Sequence, residues 1–322
     1  MNFTNKKIAF YTEMPFIGKV SRDHVHMRTE FAQMCAMQVD HYSYYNLERI
    51  FTKHTGYDHV IMLVSKTTKL RDWITKNNLM HYARIMGKKV WFMQEATCWI
   101  HQTMPLHHQI DHYNLLNEVD GILAENETDF DYYNGIAPGI PVHVIPTLMI
   151  EKPLLNARHE KREDKSMIGG NCNSWYGGFD SYLVASQFKN KISVPKMRNV
   201  ENENQLDNLE ILPHITFREW IYHLSSYRYA VHLMPSVTAG TFSLNCSFLG
   251  IPCIGYKQSD TQRLCQPDLS VEHWDLKSAM ELAKRLKEDE EFYDHCSKTA
   301  IENYNQHFNE EVFIKHMKKV LS

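Results

Sequence analysis

Short apolar runs alternate with longer segments of helical period along the whole chain. In the first half, 7–12 (KIAFYT), 58–64 (DHVIMLV) and 89–93 (KVWFM) each place an apolar run behind a polar lead. That is the pattern of parallel strands buried on both faces. Residues 120–124 and 142–146 repeat it, while 23–38 and 70–86 carry the helical period, the latter stopped by Gly87 just beyond its end. Strands alternating with helices require right-handed crossovers and predict a doubly wound parallel sheet.

A second alternation follows a charged stretch at 151–165 (EKPLLNARHEKREDK), which reads as a linker because it holds few core residues. Strands are predicted at 166–169, 191–194, 229–234 and 253–256, and helices at 178–188, 217–225, 242–249, 275–289, 290–305 and 309–321. The polar segment 198–209 (RNVENENQLDNL) reads as a solvated surface loop. The pattern therefore predicts an α/β protein of two Rossmann-like, doubly wound domains facing across a cleft. Residues 1–150 form the first and 166–305 the second, and a C-terminal helix in 306–322 packs back on the first. In such sheets ligands sit beyond the carboxyl ends of the strands, at a topological switch point.

Composition narrows the function. The 322 residues carry a net charge of −3, so the chain is no polycationic nucleic-acid coat. Seven scattered cysteines form no Cys-x-x-Cys pair, which argues against a disulfide framework or zinc knuckle. The N-terminus lacks an apolar signal core, and no run approaches the ~18 apolar residues of a spanning helix. A cytoplasmic protein with no membrane partner is expected. Nothing in the sequence sets an oligomeric state. Among nineteen histidines, His101, His107, His108 and His112 cluster, and His108 with His112 has the spacing of a metal pair. A third ligand is lacking, so no metal site is expected. A solvated helix face and an acceptor-binding patch, with Lys88, Lys89 and Trp99 nearby, both stay open.

The most informative stretch is 229–256, YAVHLMPSVTAGTFSLNCSFLGIPCIGY. A strand ends at Pro235-Ser236, a loop of small residues leads into a helix, and Gly250-Ile251-Pro252 turns into the next strand. Free N–H groups at the positive end of that helix suit a diphosphate. Gly240 allows close backbone approach, and Ser236, Thr238 and Thr241 add hydroxyl donors.

This stretch resembles the nucleotide-sugar-binding half of GT-B glycosyltransferases. Where that family places a ribose-binding glutamate, five residues before the glycine of Gly-x-Pro, this chain has Asn245. The second acidic position, eight residues earlier, falls on Val237, which argues against the retaining branch. Three further stretches are similar to the bacteriophage DNA β-glucosyltransferase type. KKVWFMQEATC puts Glu95 at the catalytic carboxylate, MIGGNCNSWYGG puts Gly169, Gly170 and Asn171 beside the phosphates, and ILPHITFREW puts His214 and Ile215 at the uracil.

The resemblance implies an N-terminal acceptor domain and a C-terminal donor domain. It also implies inverting transfer from a UDP-sugar to a hydroxyl, with Glu95 as base and 5-hydroxymethylpyrimidine in phage DNA as acceptor, in the host cytoplasm. The sugar nucleotide is then a co-substrate rather than a tightly bound cofactor, and a divalent metal is left open. The family's diphosphate-binding arginines are replaced by Asn173 and Phe242, so Gly18 and Lys19, with Arg22, are expected to supply that grip from the first loop. His24, Trp99 and His101 are the candidate acceptor contacts. Rival readings are transfer to a surface polysaccharide or other glycan, and a non-catalytic nucleotide-sugar- or DNA-binding protein.

Overall fold

Side chains of successive strand residues point to opposite faces, and here both faces are buried. In strand β11 (Tyr227–His232), Ala230 joins one apolar cluster and Val231 the other. Met167 and Ile168 of β8 (Glu163–Ile168) divide the same way, as do Cys253 and Ile254 of β12 (Cys253–Tyr256). The computed structural model describes residues 5–12, 18–19, 28–43, 55–64, 79–158, 162–173, 175–196 and 200–322. It divides into unit 1 (1–24, 30–146 and 313–322) and unit 2 (25–29 and 147–312).

Unit 1 holds a seven-stranded sheet in the order β2-β3-β1-β4-β5-β6-β7. Its strands are β1 (Ile8–Thr12), β2 (Gly18–Lys19), β3 (Asp40–Ser43), β4 (Tyr57–Val64), β5 (Gly87–Gln94), β6 (Gly121–Ala124) and β7 (Val142–Val144). All pairings are parallel except β2 with β3. Strand β3 escaped the pattern because its sequence, DHYS, is polar. Its polar groups are satisfied internally: His41 Nε2 bonds Thr12 Oγ1 at 2.6 Å, and the Tyr57 hydroxyl donates to Asp40 Oδ2 at 2.7 Å.

Unit 2 holds a six-stranded, wholly parallel sheet in the order β10-β9-β8-β11-β12-β13. Here β9 is Lys191–Val194, β10 is Leu209–Ile211 and β13 is Ser270–Val271. The chain winds outward from β8 through β9 to β10, then crosses to β11 on the other side, the order of a dinucleotide-binding sheet. The switch point lies between β8 and β11.

Several expected elements take different form. The helix expected at 23–38 is described as Thr29–Met37, and that at 70–86 as Leu79–Met86, with 23–27 and 70–78 lying outside the described residues. The expected linker is built into unit 2: Lys152–Ala157 is a 3-10 helix with Leu154 and Ala157 buried, and β8 begins at Glu163. Its charges have a structural use. Arg158 Nε donates to the Phe248 carbonyl at 2.9 Å, and Arg162 donates to the Leu249 and Gly250 carbonyls at 2.7 and 2.8 Å. Two guanidinium groups thus satisfy the C-terminal carbonyls of the helix Thr241–Leu249 and offset the negative end of its dipole.

The loop at 198–209 is also more than a solvated connection. Glu203 is buried, and its carboxylate accepts the Cys172 N–H at 3.0 Å. All seven cysteines are free. No helix among the described residues is long and apolar enough to cross a membrane.

Two glycines make the switch point possible. Gly177 has φ +59°, and a Cβ there would stand 2.0 Å from the Leu233 carbonyl oxygen. A Cβ on Gly178 would stand 2.3 Å from the Asn171 carbonyl oxygen. Gly177→Ala therefore combines left-handed strain with a backbone clash and is expected to cost about 2 kcal/mol or more. Gly139 has nothing within 4 Å of an added Cβ, so Gly139→Ala is the control, expected within about 0.5 kcal/mol of the parent. Urea unfolding midpoints check both; equal midpoints would remove the close-approach argument.

Candidate functional site

The carboxyl edge of the unit 2 sheet carries a small pocket open to solvent. Strand β8 reaches it through Gly169, whose N–H donates to the Val231 carbonyl at 2.9 Å. A Cβ on Gly169 would lie 2.6 Å from the Phe242 ring and 2.7 Å from the His232 ring, so only glycine lets this turn close against β11. Gly170 follows at φ +80°, and Asn171 is buried, its side-chain oxygen accepting the Asn173 N–H at 3.4 Å.

Beyond β11 the chain runs through Met234 and Ser236 to Thr238 and Gly240, all lining the pocket. Gly240 stands at φ +68° ahead of the helix Thr241–Leu249. An added Cβ would lie 2.0 Å from Thr261 Oγ1, which itself donates to the Gly240 carbonyl at 2.9 Å. Thr147 donates to the Ala239 carbonyl at 2.6 Å. Hydroxyls on two other segments thus hold the loop, leaving the helix N-terminus at the pocket edge. Across the pocket stand Tyr256, Gln258 and Ser259, at and just beyond the end of β12.

The electrostatics are distinctive. No lysine, arginine or carboxylate lines the pocket among the described residues. His232 is half-buried at the pocket wall, and desolvation pushes its pKa down to about 4, so it is neutral at physiological pH. Phe242, at one position where the resembled family carries arginine, packs its ring 5.0 Å from His232 and is buried. Cys172 is no thiolate either, since burial and Glu203 raise it to about 11.

The structure gathers some of the expected donor residues and separates others. Ser236 and Gly240 line the pocket, and the Gly169-Gly170 turn packs beside it. Thr241 begins the helix, while Asn245 is buried one turn further on and does not line the pocket. His214 is exposed and Ile215 half-buried, beyond β10, three strand positions from β11. Gly18 and Lys19 form β2 in unit 1, paired with His41 and Asp40, and only their backbone is described. Arg22, His24 and His26 lie outside the described residues.

In unit 1, Glu95 follows β5 directly. Its N–H donates to the Val64 carbonyl at 2.9 Å, fixing it at the carboxyl edge beside β4, and it is 8% exposed. The next residue, Ala96, stands at φ +71°, a strained conformation for a non-glycine residue and one that collects at functional sites. Trp99 is half-buried in the 3-10 helix Cys98–Thr103.

The histidine patch is corrected. His101, His108 and His112 are all buried. His101 bonds the Cys98 carbonyl through Nδ1 at 2.6 Å and the Tyr132 hydroxyl through Nε2 at 2.7 Å, and it stacks on His112 at 4.5 Å. With both nitrogens bonded inside the fold, His101 is a packing residue, not an acceptor contact. The helix Leu106–Glu118 turns His108 and His112 inward and exposes Leu106, Ile110 and Tyr113, the reverse of the expected solvated histidine face. Among the described residues no cluster of three metal-binding side chains is found.

Comparison with known proteins places this geometry. No family model matches the chain, and no curated protein does. Solved structures match along nearly its whole length. Sucrose-phosphate synthase from Thermosynechococcus elongatus superposes with TM-score 0.69 at 11% identity, covering 98% of both chains. The Anabaena protein Alr3699/HepE in complex with UDP gives 0.69 at 10%, covering 98% of this chain and 99% of that one. An alpha-glucosyltransferase in complex with UDP-glucose and abasic DNA gives 0.65 at 12%, with the same coverage. The fold is GT-B.

In that frame, unit 2 is the half whose sequence carries the Gly-x-Pro stretch, and its pocket lies at the other end of the helix Thr241–Leu249, beside Gly240. The sequence reading missed Gln258, Ser259 and Tyr256 as pocket residues because they follow β12 rather than the glycine loop. Their signal was the switch-point rule itself, which directs attention to every strand end beside β11.

His232 gives the site a pH signature. Its folded pKa lies below the ordinary ~6.5, so between about 4 and 6.5 the unfolded chain binds a proton that the folded chain refuses. Its contribution to stability is intact above about 6.5 and is lost as pH falls towards 4. His59, His143, His223 and His316 shift the same way through burial. Urea unfolding at pH 7 and pH 5 is expected to show a steeper acid loss in the parent than in His232→Phe, by about 1–2 kcal/mol. Equal losses would contradict a desolvated, neutral His232.

Proposed function

We propose that the protein is a glycosyltransferase that takes its sugar from a nucleoside diphosphate sugar, with a UDP-sugar as donor. The observation that carries this reading is the pocket at the unit 2 switch point, bounded by the helix N-terminus after Gly240 and by the Gly169-Gly170 turn. Such a place suits a diphosphate, because oriented N–H groups and a helix dipole favour negative charge. The similar structures with UDP or UDP-glucose bound support the choice of donor. From β10 to β11 spans three strand spacings, roughly 14 Å at ~4.8 Å each. That matches an extended donor with its base near His214 and Ile215 and its sugar end at the pocket.

In this reading Glu95 is the base of an inverting transfer. Its carboxylate takes the proton of the acceptor hydroxyl as that oxygen bonds to the anomeric carbon. The bond from the anomeric carbon to the diphosphate breaks, and the nucleoside diphosphate departs with the electron pair. Burial of Glu95 keeps water from competing for the carboxylate, and the Val64 hydrogen bond fixes its backbone. The favoured acceptor is a hydroxymethylated pyrimidine in DNA. Its support is the alpha-glucosyltransferase complexes with DNA together with the resemblance around Glu95. A surface polysaccharide or other glycan is the second reading, and sucrose-phosphate synthase among the similar structures supports an acceptor other than DNA.

Addition of UDP-glucose is expected to raise the melting temperature by a few degrees, as any ligand selective for the folded state does. Labelled sugar is expected to pass to hydroxymethylated DNA and not to unmodified DNA. Glu95→Gln is expected to keep the melting shift and to lose at least about 100-fold in turnover. Label on glycan alone would favour the second acceptor, while a product of retained configuration or an active Glu95→Gln would remove Glu95 as base. Turnover with EDTA and with added Mg²⁺ or Mn²⁺ reads the metal requirement directly.

A further inference from the structure

The turn that follows β8 uses most of its backbone donors inside the fold. The N–H of Gly169 goes to the Val231 carbonyl at 2.9 Å, and that of Tyr176 to the Asn173 carbonyl at 3.0 Å. Asn173 and Trp175 give theirs to the side-chain oxygens of Asn171 at 3.4 Å and Asn173 at 3.1 Å. Gly170 differs. It is buried and stands at φ +80°, and its N–H has no hydrogen-bond partner among the described residues. An N–H in a buried residue is rarely left unpaired, and a left-handed residue in such a turn builds a concavity of N–H groups suited to an anion.

The N–H of Cys172, two residues on, is held from far along the chain. Glu203, at a separation of 31 residues, accepts it at 3.0 Å. Glu203 opens the 3-10 helix Glu203–Gln205, between β9 and β10, and is only 6% exposed. A carboxylate is costly to bury, and a backbone N–H that meets one is held about twice as strongly as one that meets a neutral oxygen. Burial, and then the same carboxylate, push the Cys172 thiol up to about 11, so Glu203 acts on the side chain of Cys172 as well as on its backbone.

We propose that Glu203 is a positioning residue for the donor: by clasping the Cys172 N–H it fixes the Gly169-Gly170 turn in the pose that offers the Gly170 N–H to a diphosphate. Its contribution is the place of its oxygen and not its charge, since a negative charge near an anion is unfavourable by itself. This rests on the glycosyltransferase reading and deepens it, because it gives the set of the diphosphate turn to a side chain on the β9–β10 segment. That segment runs on through β10 to His214 and Ile215, so the clasp joins the turn to the chain that leads to the proposed base contacts.

The test separates position from charge by calorimetric titration of UDP into the full chain and three variants, each first shown to melt within a few degrees of the parent. Glu203→Gln keeps an acceptor of the same reach without the charge and is expected to hold UDP within about threefold of the parent. Glu203→Asp keeps the charge one methylene short and is expected to weaken UDP about fivefold, and Glu203→Leu, which has no acceptor, about tenfold. Where Glu203→Leu does not fold, the other two variants decide. Iodoacetamide reads the clasp independently, because Cys172 is partly exposed and the other six cysteines are buried. Alkylation of Cys172, followed by mass spectrometry, is expected to be faster in Glu203→Gln than in the parent and to be slowed by UDP in both. A loss of UDP affinity in Glu203→Gln as large as in Glu203→Asp would make the charge the cause and overturn the proposal. Parent-like affinity in Glu203→Asp and Glu203→Leu, or alkylation no faster in Glu203→Gln, would do the same. UDP that binds without protecting Cys172 would place the diphosphate away from the turn and also overturn it. A parent that binds no UDP refutes the donor reading instead.

Discussion

The site in unit 2 depends on how closely backbone can approach backbone at the β8–β11 switch point. The Leu233 carbonyl stands where a Cβ on Gly177 would be, and the His232 and Phe242 rings stand where one on Gly169 would be. If those loops stood off by the radius of a methyl group, the two strand ends would separate and the edge where the pocket opens would be lost. Gly240 repeats the device on the far side, with Thr261 in the space its Cβ would need. Three loops converge because none carries a side chain at its point of contact. Interiors packed this tightly do not absorb an extra methyl cheaply.

Charge is arranged around the pocket rather than inside it. Arg158 and Arg162 sit at the C-terminal carbonyls of the helix Thr241–Leu249, the end remote from the pocket. They satisfy carbonyls that would otherwise be orphaned and leave the N-terminal N–H groups as the polar end facing ligand. A neutral imidazole and several hydroxyls then line the space itself.

Much of the fold was legible, for a physical reason. Strands buried on both faces must be continuous apolar runs, and KIAFYT, DHVIMLV and KVWFM are such runs. The glycine loop and Gly-x-Pro stretch were legible because close approach permits few residue types. Strand β3 was not legible, since its polar side chains are buried through mutual hydrogen bonds that no local pattern encodes. The helix Leu106–Glu118 reverses the usual rule, hiding His108 and His112 and exposing Leu106. Arg158, Arg162 and Glu203 looked like solvated charge, and each instead satisfies backbone groups far along the chain.

The measurement that tests the central claim most directly is a crystal structure of the protein with UDP-glucose. The nucleotide sugar is expected on unit 2, with its diphosphate between the helix N-terminus after Gly240 and the Gly169-Gly170 turn. A nucleotide sugar bound elsewhere on the chain, or none bound at all, would contradict it.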